Sequence, residues 1–142
     1  MLDILPGINS TTAALNAERI RIDVVGQNIA NLNTTRGPDG NPYQRQQVVF
    51  ETLFQQARDS AGAPLQTLSV ARIEKDQRPP KLVYEPGHPD ANSDGMVALP
   101  NINMAEEMVD LIAASRTFEA NLAVMKNARS MAIQELSIGK RS

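Results

Sequence analysis

Apolar residues recur three and four positions apart at both ends of the chain and lose that rhythm in the middle. Near the start they fall at Met1, Ile4, Ile8, Leu15, Ile22, Val25, Ile29 and Leu32; near the end they fall at Met104, Met108, Leu111, Phe118, Leu122, Met125, Ala132 and Leu136. That spacing lays a narrow apolar seam along one side of an α-helix. Two seam helices at the termini, with proline-rich irregular sequence between them, describe a chain that folds back on itself. Each seam then meets the other, or a neighbouring copy, as an antiparallel coiled-coil-like pair. The expected fold is mainly α with a small β-rich insert. Its expected divisions are an N-terminal helix over 1–35, a central β and loop segment over 36–101, and a C-terminal helix over 102–142. The two helical parts would form one discontinuous domain.

The local signals set the boundaries. Helix one should run from about Ile4 or Gly7 to about Leu32, with Pro6 confined to the first turn, where a missing N–H costs nothing. Gly26 weakens its interior by about 1 kcal/mol against alanine, and marks a bend, a close approach by another helix, or an ordinary tolerated glycine. Asn31, Asn33, Thr34 and Thr35 compete for backbone hydrogen bonds, and Gly37-Pro38-Asp39-Gly40 is a turn signal. Tyr43 to Phe54 has β character, Ala57 to Pro64 reads as flexible, and Leu65 to Lys75 reads as a second strand. In that strand Leu68, Val70 and Arg72 should share one face, with Thr67, Ser69, Ala71 and Ile73 on the other. Lys81 to Glu85 and Met96 to Leu99 are short extended pieces. Helix two follows Pro100, with Asn103 and Glu106 in a capping-box pattern. Glu106, Glu107 and Asp110 lie where the helix dipole favours negative charge.

Composition supports helix-on-helix packing. Aromatics are 4% of 142 residues with no tryptophan, so the apolar content is aliphatic and alanine-rich. A formal net charge of -2 gives no basic footprint for nucleic acid. The absence of cysteine removes disulfides, thiol catalysis and cysteine-based zinc sites. Asp3 and Pro6 stand where a secretory signal would carry a basic and then an apolar run, and no stretch has the length of a membrane span. If the protein leaves the cytoplasm, it is expected to do so without a cleaved signal of the usual kind.

Catalytic chemistry finds little support. The single histidine, His88, lies in Glu85-Pro86-Gly87-His88-Pro89-Asp90; with Asp94 it is a poor metal set, and local hydrogen bonding is the better reading. Glu106 and Glu107 are adjacent on a helix and do not face each other. No phosphate loop, HExxH or GxSxG motif is present. No cofactor and no enzyme activity are expected. Each seam has polar interruptions: Thr11 and Glu18 in helix one, Ser115 and Arg129 in helix two. In a flush antiparallel pair Glu18 and Arg129 miss each other by about 9 Å, so both are expected to face neighbouring subunits or to snorkel to solvent.

Helix one and its exit, from Leu15 to Thr34, resemble the N-terminal segment of bacterial flagellar rod and hook proteins, whose pattern N-[LI]-A-N-x-x-T is matched by Asn28, Ile29, Ala30, Asn31 and Thr34. Three further stretches resemble the proximal-rod branch of that family: Gly37 to Tyr43 leading into Arg45 to Phe50, Pro80 to Pro89, and Leu99 to Asn103 with Glu107 to Asn121. The likeness spans nearly the whole chain; Ala57 to Pro64 has no strong counterpart, and Gly139 to Ser142 runs slightly past the usual end.

The resemblance implies a structural subunit of the flagellar basal-body rod that assembles through its terminal helices into a hollow drive shaft. It implies export, unfolded, through the flagellar type III apparatus, and a location in the rod as it crosses the periplasm. Implied partners are copies of itself, other rod proteins and the surrounding rings, with no nucleic acid. Ile8, Leu15, Ile22, Val25 and Ile29 should form one side of the inner layer, with Met108, Leu111, Phe118, Leu122 and Met125 on the other. Asn28 and Asn31 should satisfy free carbonyls at the helix exit. Arg116, Arg129 and Glu18 are candidates for contacts between subunits. The alternative is a small helical adaptor or secretion-associated binding protein.

Overall fold

The computed structural model describes residues 5–58 and 64–139. Met1 and Ile4 of the first seam, the centre of the Ala57 to Pro64 stretch, and Lys140 to Ser142 lie outside the described residues. The element order is α1 (Leu5–Ala30), β1 (Gln46–Arg58), β2 (Pro64–Lys75), β3 (Lys81–Tyr84), β4 (Met96–Leu99) and α2 (Met104–Gly139). Two helices therefore enclose two small antiparallel sheets in sequence, β1 with β2 and β3 with β4.

The helices lie side by side and run in opposite senses. Asn28 of α1 meets Glu107 of α2, while Arg21, earlier in α1, meets Asp110, later in α2. The C-terminal end of α1 is thus level with the N-terminal end of α2. Among the described residues α1 has 26 and α2 has 36, so the last described turns of α2 lie past Leu5, the first described residue of α1. At 1.5 Å rise per residue that overhang is about 15 Å.

The buried side of α1 is wider than a seam. Leu15 and Val25 are buried, as expected, but so are Ala17 and Val24 on the adjoining arc. The reason is a second neighbour: α1 packs against β1 and β2 as well as α2, and Val24 lines a groove with Val48 and Phe50 of β1. On α2 the inward stripe is Glu107, Leu111, Ala114, Phe118, Leu122, Met125, Ala128 and Ala132, all buried or half-buried. Met104, Met108 and Leu136, expected in that seam, are instead 46%, 48% and 67% exposed. Inward placement of Glu107 rotates the first turns of α2 and carries both methionines out to solvent.

The long hairpin departs from simple alternation. Val49 pairs with Arg72 and Phe50 with Val70, which leaves Ala71 as the extra residue of a bulge. A bulge breaks the period-two alternation of faces, so Val70 and Arg72 do not continue one face; Arg72 and Ile73 are both exposed. β1 also persists through Ala57 to Arg58, where the composition suggested a flexible stretch.

The second hairpin has the expected strands, and β4 coincides with Met96 to Leu99. Its turn depends on Gly95, with φ of 74°. A Cβ there would stand 2.9 Å from the Tyr84 ring, so both the backbone and the space require glycine.

Helix α2 begins with Asn103 as its cap: Asn103 Oδ1 accepts from the Ala105 N–H at 3.1 Å. The reciprocal half of the capping box is changed. Glu106 takes a hydrogen bond from the Asn103 side-chain amide at 3.2 Å, in place of the Asn103 backbone N–H.

Candidate functional site

The exit of α1, the start of β1 and the first turn of α2 converge on one buried polar cluster. Its centre is Asn28, which is 0% exposed. The Asn28 amide nitrogen donates to the Gln46 carbonyl at 2.8 Å and to Glu107 Oε2 at 2.9 Å. Its oxygen accepts from the Gln46 backbone N–H at 2.9 Å and from the Tyr43 hydroxyl at 3.0 Å. Both donors and both lone pairs of the carboxamide are used. Toward Gln46 the side chain acts as one residue of a neighbouring strand would, offering a donor and an acceptor to the open edge of β1.

Glu107 is also 0% exposed. A carboxylate so placed needs a charged partner, and Arg45 supplies it, with Nε 2.6 Å from Oε1. The same guanidinium reaches Asp110 at 3.8 Å, and Asp110 in turn meets Arg21 at 3.4 Å. The cluster thus runs from Tyr43 through Asn28, Glu107, Arg45 and Asp110 to Arg21. Burial, then the nearby charge of Glu107, raises the Tyr43 phenol above its ordinary value of 10.0.

The neighbouring turns brace this junction. The Asp76 N–H donates to the Arg45 carbonyl at 2.8 Å, closing the base of the long hairpin beside the cluster. Tyr43 N–H donates to the Thr34 carbonyl at 3.1 Å, and Gly40, with φ of 78°, turns the chain between them. Asp90 accepts from the Thr35 hydroxyl at 2.7 Å and pairs with Arg36 at 3.6 Å, tying the second hairpin to the same exit. His88 serves this clasp: its Nδ1 accepts from the Asp90 N–H at 3.0 Å.

The expected assembly residues divide into three groups. Leu15, Glu18, Val25 and Asn28 are buried; Ile8, Ile22, Ile29, Asn31, Leu111, Phe118, Leu122 and Met125 are half-buried; Met108, Arg116 and Arg129 are exposed. Glu18, expected to face outward, is turned into the subunit, since α2 and the long hairpin both cover α1. The Asn31 side-chain amide donates to the Gln27 carbonyl at 2.9 Å, a carbonyl that already accepts from the Asn31 N–H at 3.0 Å. Asn28 instead joins two elements far from its own.

Sequence reasoning missed Arg45, and it explained Glu107 by the helix dipole alone. A usable signal was present: Glu107, Leu111, Ala114 and Phe118 keep the four-three-four spacing of the inward stripe.

A hollow of about 220 Å³ beside the cluster is lined by residues including Asp39, Tyr43, Arg45, Asp76 and Arg78. A second hollow, of about 330 Å³, is lined by residues including Arg21, Val24, Arg45, Phe50 and Asp110. The arrangement joins two helices and a hairpin.

Comparison with known proteins gives this junction a family. A family model described as "Flagella basal body rod protein" matches residues 8–38, which include Asn28. A second, "Flagellar basal body rod FlgEFG protein C-terminal", matches residues 93–136, which include Glu107. The chain is 42% identical over 151 aligned residues to the flagellar basal-body rod protein FlgC of Borreliella burgdorferi, covering 96% of this chain and 98% of that one. The chain belongs to the FlgC family of flagellar basal-body rod proteins. Its likeness to the FlgC of Escherichia coli O157:H7 is 40% over 90% of this chain and 92% of that one. To the FlgC of Bacillus subtilis it is 36% over 94% and 96% respectively. As a FlgC-family member the chain is a structural subunit of the basal-body rod, and the two matched regions are the two that the Asn28–Glu107 contact joins.

Proposed function

We propose that this rod subunit assembles through its terminal helices, with α1 and α2 as a coiled-coil-like pair in the inner layer of a hollow shaft. Residues 1–35 and 102–142 form the assembling unit, and residues 36–101 stand outside it and select neighbours. Those neighbours are other rod proteins and copies of this chain, and the surrounding rings. The subunit reaches the rod as it crosses the periplasm by flagellar export in an unfolded state.

One observation carries this reading. Helix α2 carries apolar residues that remain exposed in the described part of the subunit: Met104, Met108, Val109, Ile112, Val124, Met131, Ile133, Leu136 and Ile138 are each 46% to 70% exposed. So many exposed large apolar side chains on one helix are the mark of a surface that meets a partner. No helix among the described residues is long and apolar enough to cross a membrane, so a lipid bilayer is not the partner for a span. A protein neighbour of like design is.

The test substitutes Ile112→Lys in the chromosomal gene. Ile112 lies outside the pair, so the purified variant should melt at the wild-type temperature. Rods should fail to incorporate it, and the cells should not swim. Normal swimming with Ile112→Lys, or with Val109→Lys and Ile112→Lys together, would overturn the placement of α2 in the subunit interface.

A further inference from the structure

The exposed side of α1 carries a periodic stripe of its own. Thr12, Asn16, Arg19, Asp23, Gly26 and Ala30 follow one another at alternating spacings of four and three, and all are exposed. On α2, Val109, Ile112, Arg116, Glu119, Ala123 and Lys126 keep the same alternation and are exposed as well. Each set is one helix face at coiled-coil spacing.

Both faces carry a cation and an anion that the subunit leaves unpaired. Among the described residues, Arg19, Asp23, Arg116 and Glu119 take part in no ion pair. Along α1 the cation comes first, Arg19 before Asp23; along α2 it also comes first, Arg116 before Glu119. Two such faces laid antiparallel set Arg19 against Glu119 and Asp23 against Arg116. Laid parallel, they set like charges together. The antiparallel register also brings Ile112, which is 52% exposed, opposite Gly26. A Cβ on Gly26 would meet nothing within 4 Å, so the backbone there leaves a hollow for a large side chain.

Within one subunit these faces do not meet, since every one of these residues is exposed. Counted along both helices from the Asn28–Glu107 contact, Arg19 lies level with Arg116. A flush neighbour would therefore set arginine against arginine. Displacing the neighbour along the axis by about three to four residues, about 5 Å, turns that repulsion into two attractions.

We propose that the exposed face of α1 receives α2 of a second copy of this chain, antiparallel, in the register Arg19–Glu119, Asp23–Arg116 and Gly26–Ile112. The contact rests on the assembly reading above and gives it a partner and a register. It is heterologous: each copy offers α1 to one neighbour and α2 to the other. Exposed ion pairs add little affinity; they choose the register, and Val109 and Ile112 supply the apolar area. One other register satisfies Asp23, against Arg129. It needs a further slide of about 20 Å, which carries Val109 and Ile112 past the end of α1.

The chain has no cysteine, so engineered pairs report without background. Asp23→Cys and Arg116→Cys are placed together in the chromosomal gene, and rods from swimming cells are oxidised with copper phenanthroline. Covalent dimers and longer ladders of the chain are expected. Neither single substitution should give them, nor should Asp23→Cys with Arg129→Cys. Rods that contain the first pair and form no ladder overturn the proposal, as does an equal or stronger ladder from the Arg129 pair. Should the first pair not be incorporated, charge exchange decides. Asp23→Arg and Arg116→Asp should each reduce swimming, and the two together should restore it. Single reversals that swim like wild type, or a double variant no better than the singles, sink the register. A missing ladder beside a non-swimming Ile112→Lys strain removes this register alone, whereas normal swimming by Ile112→Lys removes the assembly reading beneath it.

Discussion

Asn28 and Glu107 are 79 positions apart and share a buried hydrogen bond of 2.9 Å. One lies near the end of the first helix and the other at the start of the second. Their contact sets the register of the helix pair, because each is also held by a third element: Asn28 by the backbone of Gln46, and Glu107 by Arg45.

Asn28→Ala should therefore cost more than an average buried polar residue. It removes four hydrogen bonds and leaves Gln46 short of two and Tyr43 and Glu107 each short of one. The expected loss is about 2–4 kcal/mol in chemical denaturation. Asn28→Asp should be no milder, because it restores the acceptor but sets a carboxylate against Glu107. A loss below about 1 kcal/mol for the alanine variant would mean that the junction does not hold the helices together.

Arg45 tests the charge side of the same cluster. Arg45→Ala strands Glu107 without a counter-charge, and should destabilise by about 3–5 kcal/mol. Arg45→Lys should recover only part of this. A lysine is a point charge and cannot address Glu107 and Asp110 through two separate nitrogens, as the guanidinium does at 2.6 Å and 3.8 Å. Equal melting temperatures for Arg45→Lys and wild type would contradict that account.

The alkaline limb of stability should belong partly to Tyr43. Its phenol is raised in the folded chain, so the folded state prefers the protonated form. The associated stability is fully present below the unfolded tyrosine value of about 10. It is lost as pH rises from there through the folded value. Tyr43→Phe should be less stable than wild type at neutral pH, having lost the bond to Asn28, and should show a shallower decline above pH of about 10. Denaturation curves between neutral and strongly alkaline pH measure both effects.

Gly26 offers the opposite kind of change. It sits inside α1, and a Cβ built on it meets nothing within 4 Å. No close approach within the subunit requires it. Gly26→Ala should stabilise the isolated chain by about 0.5–1 kcal/mol, seen as a higher melting temperature. If the same variant also swims poorly, the open space at Gly26 is filled by a neighbour in the rod.

Much of this architecture was legible from residue spacing. The two terminal helices, the two strands of the second hairpin and the α2 cap all follow from periodicity, proline and asparagine, while the pairing of those strands does not. What escaped is polar. A seam counted in apolar residues cannot include Glu107, because its burial depends on Arg45, 62 positions away. The same omission misplaced Met104 and Met108 by one face. Glu18 was legible as an interruption, but its direction depended on the long hairpin, which adds a second cover to α1. The bulge at Ala71 left no local trace, since it is a property of pairing register between two strands.

The surplus length of α2 has a further consequence. At the junction the subunit presents two helix ends and a hairpin base locked together; at the other extreme, among the described residues, it presents a single bare helix bearing Ile133, Leu136 and Ile138. A body with unlike ends cannot be laid down equally well in either sense. Whatever receives the bare end must be complementary to one helix, and whatever receives the junction must be complementary to several elements. In the assembly proposed above, two unlike ends would give growth a single sense.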